Sequence, residues 1–111
     1  MAKNRIKPQE IINEYASELK KRIHISKIIL FGSAARGKMT ENSDIDIIVL
    51  SQDFKKMGFL KRLTLLSHAR VGKTRKIAMD IFGYTPEEAK NLSRSSSMLK
   101  EALTQGKIVW S

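Results

Sequence analysis

FGSAARGKMTENSDIDIIVL, residues 31–50, joins a glycine-opened turn to a strand that begins with two acids. Within it DIDIIVL, residues 44–50, alternates: Ile45, Ile47 and Val49 face one way, and Asp44, Asp46, Ile48 and Leu50 the other. Strand residues two apart are separated by roughly 6.6 Å and share a face, so Asp44 and Asp46 can converge on one centre. Two carboxylates so close repel, and burying them is costly unless a cation neutralises the pair. Hard divalent ions such as Mg²⁺ prefer carboxylate oxygens, which makes a metal their natural partner. Just upstream, Gly32 and Ser33 lie between the apolar run KIILFG, residues 27–32, and a short helix expected to follow. Backbone N–H groups exposed at such a turn can hold a triphosphate.

Working outward, KIAMDIF, residues 76–82, alternates in the same way, with Ile77, Met79 and Ile81 on one face and Ala78, Asp80 and Phe82 on the other. If this third strand neighbours the second, Asp80 joins Asp44 and Asp46. Three acids can hold two Mg²⁺ ions, which clamp the attacking and leaving oxygens of an in-line displacement at phosphorus.

The remaining periodicity supplies helices. Ile11, Tyr15 and Leu19 recur every four residues over 8–23, with Pro8 in the first turn. Residues 57–70 read as a second helix, with Phe59, Leu60, Leu63 and Leu66 on its apolar side and Lys61 and Arg62 opposite. Thr85, Pro86 and Glu88 spell a helix start with a capping box. Ser93 to Ser97 should break that helix, Met98, Leu99, Ala102 and Leu103 restart it, and Lys107 to Trp110 can form a last strand after Gly106. The expectation is a single α/β domain over 1–111: a small mixed sheet of three or four strands, helices mainly on one face, and the acids along an open edge of the other.

A chain of 111 residues has room for one modest core. With 41% hydrophobic and 29% charged residues it is too apolar to be disordered. No cysteine is present, which excludes disulfides, thiolate catalysis and cysteine-based zinc sites. No apolar run nears the roughly 20 residues that span a bilayer, and the start MAKNRIKPQE lacks a signal-peptide core, so no membrane association and a cytoplasmic location are expected. Lys and Arg total 21 against 11 acids, a net charge of +10 that favours polyanions or acidic proteins as partners.

The ordered set of apolar strand, Gly-Ser, Asp-x-Asp after about ten residues and a later strand aspartate resembles the minimal nucleotidyltransferase domains of the polymerase-β-like superfamily. The likeness runs from the first helix to LKEALTQGKIVW. It implies that Gly32 and Ser33 bind the phosphates of ATP or another NTP. It implies that Asp44 and Asp46 ligate the metals, and that Asp80 ligates the metal beside the acceptor and acts as its base. Arg36 matches an arginine of the family's GSxARG segment, where a cation would stabilise developing charge. Ala34 stands where family members frequently carry a bulky or basic residue, so one phosphate contact is missing from the pattern. Such domains often pair with a helical HEPN-type partner, in which the transferase is the antitoxin. The resemblance therefore implies transfer of AMP, or another NMP, to a protein or RNA hydroxyl with release of pyrophosphate. So small a domain encloses little, and a homo- or hetero-oligomeric partner is expected to complete the site.

Other signals carry less. GKT at Gly72 to Thr74 lacks the glycine of a P-loop, since Ser67 occupies that position, and it follows a helix where a strand is required. Arg70, Lys73, Arg75 and Lys76 form a basic loop, read as solvated, with an acidic partner or RNA as the alternative. His24 and His68 stand alone near helix ends and have no acid partner in sequence. Two rival functions remain open from sequence: a non-catalytic antitoxin that masks its toxin by contact, and a basic nucleic-acid-binding module.

Overall fold

The two continuous apolar runs become the middle of a sheet. In the computed structural model, which describes residues 7–37 and 44–111, β1 (Lys27–Phe31) and β2 (Ile45–Leu50) pair antiparallel, with Phe31 opposite Asp46 and Lys27 opposite Leu50. Both are covered on two faces, which is why neither alternates fully in hydrophobicity. The edges are β3 (Met79–Tyr84), parallel to β2, and β4 (Lys107–Trp110), antiparallel to β1, so the order is β3-β2-β1-β4. The sheet is thus mixed and four-stranded, as expected. The segment 38–43, which completes the spacing between Gly-Ser and Asp-x-Asp, lies outside the described residues.

Helix α1 (Pro8–Leu19) turns Ile11, Ile12, Tyr15, Ala16 and Leu19 inward, and these pack with Ile28, Leu30, Ile45, Ile47 and Val49 on one face of the sheet. Helix α3 (Phe59–His68) joins that layer through Leu66, whose carbonyl accepts the Tyr15 hydroxyl at 2.7 Å. Burial drives the pKa of that phenol upward, so it remains a donor. The opposite face carries a thinner layer: α4 (Pro86–Leu92) and α5 (Ser97–Gln105) set Ala89, Leu99 and Ala102 over Ile29, Phe31, Ile48 and Leu50. The expected weight of packing on one face is seen, and α4 and α5 add a second cover at the far end of β3 and along β1.

The capping box at Thr85 forms as written in the sequence: the Thr85 hydroxyl accepts from the Glu88 N–H, and the Glu88 carboxylate accepts from the Thr85 N–H. Several boundaries differ from expectation: the first helix, expected over 8–23, ends at Leu19, the second strand, expected from residue 44, starts at Ile45, and α3, expected over 57–70, spans Phe59–His68. Strand three was expected over 76–82 but runs over Met79–Tyr84, because Gly72–Lys76 winds into a 3₁₀ turn whose exit is held by Arg70, donating to the carbonyls of Thr74 and Ile77. Arg70 is therefore a structural member of the basic loop, whereas Lys73, Arg75 and Lys76 are solvated.

The apolar side expected for α3 differs as well. Leu66 is buried, yet Phe59 and Leu60 are 74% and 76% exposed. The inward position is taken instead by Arg62, whose five N–H donors are all used: two on the Glu88 carboxylate at 2.7 and 2.9 Å, and one each on the carbonyls of Met57, Gly83 and Phe54. No helix among the described residues is long and apolar enough to cross a membrane.

Candidate active site

Strand β1 ends against glycine because the chain must turn sharply there. Gly32 has φ +74°, a conformation that costs any residue with a Cβ, and it begins the four-residue helix α2 (Gly32–Ala35). A methyl group at Gly32 would lie 2.5 Å from Oδ2 of Asp46. The turn thus presses its backbone onto the first strand carboxylate.

Within α2, Ala34 and Ala35 are buried and anchor the turn, while Ser33 is half-exposed. Ala34 packs into the larger core cluster. Its small size is therefore a matter of packing. Arg36 ends the helix, with its Nε bonded to the Gly32 carbonyl and its Nη2 3.6 Å from the Glu101 carboxylate on α5. The Arg36 side chain is 62% exposed and that of Glu101 42%, so the pair is weak and readily exchanged.

Asp46 and Asp80 are register partners on the parallel strands β2 and β3, so their side chains leave the sheet side by side on the α4/α5 face. Asp46 is half-buried, and its carboxyl is pushed up to about 6. Burial is the first cause; the charge of Asp80 and a hydrogen bond shared with it come next, then the charges of Asp44 and Glu101. Asp80 and Asp44 are both exposed. Asp44 acts on Asp46 through its charge, but among the described residues no three acidic or histidine side chains gather closely enough to hold an ion unaided.

This donor set fits Mg²⁺. That ion demands hard oxygens, keeps several waters, and is typically held by one or two carboxylates together with substrate phosphates. Asp46 and Asp80 supply the two carboxylates, their mutual repulsion calls for a cation, and Arg36, the basic residue of the turn, is engaged with Glu101. Glu101 is the site residue that local sequence offers no sign of. It lies on a helix far along the chain, outside any motif, and enters only because α5 packs beside β1.

Residues 11–104 match the family model described as nucleotidyltransferase domain. The chain belongs to that family. A Methanocaldococcus jannaschii protein named "Putative protein adenylyltransferase" is 38% identical to this nucleotidyltransferase domain over 60 residues, 54% of the chain and 60% of that relative. The chain spans less than two thirds of the length of the curated relatives it matches. A crystal structure of a "putative nucleotidyltransferase" from Sulfolobus solfataricus superposes over 100% of the domain and 92% of its own length, with TM-score 0.68 and 21% identity, a likeness of fold. A structure described as a toxin-antitoxin with AMP-PNP superposes over 89% of the domain and 72% of that chain, with TM-score 0.61 and 28% identity.

Proposed function

We propose that this domain transfers a nucleoside monophosphate, AMP from ATP, to a hydroxyl of a protein or RNA acceptor, and that it works as the antitoxin of a two-component pair whose other member is a HEPN-type helical protein. The observation that carries this reading is the in-register pair Asp46 and Asp80 with Gly32 pressed against it. A phosphate-approachable backbone turn and a carboxylate pair needing a cation meet at one point.

In this reading the N–H groups of Gly32 and Ser33 bind the triphosphate, and Arg36 leaves Glu101 to pair with it. Asp46 and Asp80, joined by Asp44, would hold Mg²⁺, two ions when all three engage. Bound there, Mg²⁺ supplies neutralisation of the triphosphate and acidification of the acceptor hydroxyl. Asp80, exposed on the edge strand, takes the hydroxyl proton. The acceptor oxygen bonds to the α-phosphorus, the bond from that phosphorus to the bridging oxygen breaks, and pyrophosphate leaves. ATP and Mg²⁺ are both abundant in the cytoplasm, the setting this chemistry fits.

The test uses ATP labelled at the α-phosphate, Mg²⁺, the domain and the protein encoded next to it. The reading expects label on the partner with the wild type and none with Asp46→Asn or Asp80→Asn. Absence of label on any protein or RNA offered with the wild type overturns it. The exposed Phe59 and Leu60 favour one second reading, masking of a toxin by contact alone. That reading expects neutralisation to survive Asp46→Asn.

A further inference from the structure

Two clefts run along the outer side of β3 and share the walls Leu63 and Leu66 and the floor Ile81 and Phe82. One, of about 370 Å³, opens towards Phe59 and Tyr84; the other, of about 290 Å³, ends at Asp80. Together they make one trough that follows β3 and stops at Asp80, a residue of the proposed active site. Its walls are mainly apolar towards Phe59, where Arg62 also lines them, and Ser67 and Arg70 join them at the Asp80 end; Phe59 and Leu63 on its rim are exposed.

The floor of the trough is a strand edge. Ile45 donates its N–H to the Ala78 carbonyl and Ser51 donates to that of Tyr84, so the even-numbered residues of β3 point their backbone groups at β2. Met79, Ile81 and Gly83 therefore point theirs outward, where no strand pairs among the described residues. The Gly83 carbonyl is taken by Arg62, while Met79 and Ile81 lie where a further strand would pair. Lys55, Lys56 and Lys61 stand exposed around the end near Phe59. A second copy of a chain of charge +10 would meet repulsion there, whereas a segment with acidic flanks is complementary.

We infer that this trough seats an extended, acidic-flanked segment of the acceptor protein as an added strand on β3, and that the segment brings a hydroxyl side chain to Asp80. The seating stands on the trough alone; the delivery rests on the proposed transfer reaction, with the hydroxyl proton passing to Asp80 and pyrophosphate leaving as above. An added strand gains affinity from main-chain hydrogen bonds and specificity from alternate side chains, which suits an apolar wall on one side of an unpaired edge.

The probe is a fluorescent peptide of about ten residues, alternating Val and Thr, with glutamates at both flanks and one serine near an end, followed by anisotropy. Saturable binding is expected, weakened about tenfold or more by Phe59→Asp or Leu63→Asp, both surface changes, and by Ile81→Pro, which removes an outward N–H and no bond to β2. Melting curves confirm that the variants fold. Binding undiminished in Phe59→Asp and Leu63→Asp, or equal for a lysine-flanked peptide, overturns the proposal. So does an RNA oligonucleotide whose binding is lost in those variants, or a wild-type dimer that Phe59→Asp dissolves. With labelled ATP and Mg²⁺, labelling of a serine at one end of the peptide but not the other supports delivery, and equal labelling at both ends overturns it. Peptide that binds but never takes label, with no label on any other acceptor, counts against the transfer reaction and leaves the seating intact.

Discussion

The α-carbon of Gly32 faces Oδ2 of Asp46 so closely that the space a methyl group needs is already filled by the carboxylate. Gly32→Ala should therefore act twice. A positive φ costs a residue with a Cβ roughly 1–2 kcal/mol, and the Asp46 carboxylate must also rotate away from its place beside Asp80. We expect melting to fall by a few degrees and transfer by about 10²-fold. Wild-type activity in Gly32→Ala would show that the close approach is immaterial.

Asp46 opposes folding in the cation-free protein, since burial and the charges of Asp80, Asp44 and Glu101 all disfavour its ionised form. Asp46→Asn should abolish transfer, a loss on the order of 10²–10³ or more, while leaving the melting temperature unchanged or higher by roughly 2–5 °C. The wild type should gain stability on addition of Mg²⁺ and the variant should gain less. Thermal melts with and without the ion decide this, and an equal gain in both proteins would remove Asp46 from the ion-binding set.

Arg36 and Glu101 hold each other at 3.6 Å in a solvated pair, so neither substitution should matter much to folding. Their effects on nucleotide binding should have opposite signs. Arg36→Ala removes the cation of the turn and should weaken ATP binding about tenfold. Glu101→Gln frees that cation and removes an anion near the phosphates, so it should tighten binding several-fold. Calorimetric titration with a non-hydrolysable ATP analogue checks both, and a weakening in Glu101→Gln would contradict the arrangement.

Arg62 is the most heavily bonded side chain described, with every donor occupied and 14% of its side chain exposed. Arg62→Ala leaves three carbonyls and Glu88 without their partner and should cost about 2–4 kcal/mol. Arg62→Lys cannot reproduce the fork and should recover less than half of that. Urea unfolding measures both, and a loss under about 0.5 kcal/mol in Arg62→Ala would mean the network is decorative.

The same network sets a pH dependence. Hydrogen bonding to Arg62 is the main cause that holds the Glu88 carboxyl below its ordinary value, aided by the Thr85 N–H. A carboxyl depressed in the folded state stabilises the fold above its unfolded pKa, near 4.5, and that contribution fades as pH falls through the lower folded value. Glu88 is 37% exposed, so solvent screening limits the gain to about 1 kcal/mol. At pH 7 the wild type should therefore exceed Glu88→Gln by that amount, and the gap should close below the ordinary glutamate range. A constant gap from pH 7 to 3 would rule out ionisation as the source.

Much of this was legible in residue order. The alternation from Ile45 onward, the apolar run before Gly32 and the Thr85 capping box are local patterns and appear where the sequence places them, whereas Asp44, expected in the same strand, precedes it. Local pattern does not show which strand lies beside which, and the pairing of Asp46 with Asp80 follows only from the β2–β3 register. Leucines outnumber Arg62 on α3, so hydrophobic periodicity points to the wrong inward face. The arginine takes the inside position on account of a carboxylate 26 residues away, which hydrophobic periodicity does not register. Strand three began late for a similar reason, the carbonyls of Thr74 and Ile77 being claimed by Arg70.

Because side chains of a strand emerge on alternate sides, the meeting of the two aspartates is a matter of parity. A single residue inserted or deleted between Ile77 and Met79 would either slide the strand by one place or turn it over. In both cases Asp80 would finish beneath α1 and α3 while Met79 and Ile81 left that core, so the site would be lost and the fold weakened together. Length variation just ahead of this strand should thus be poorly tolerated in steps of one and better tolerated in steps of two, a signature of the chemistry that would be visible in the spacing of working variants.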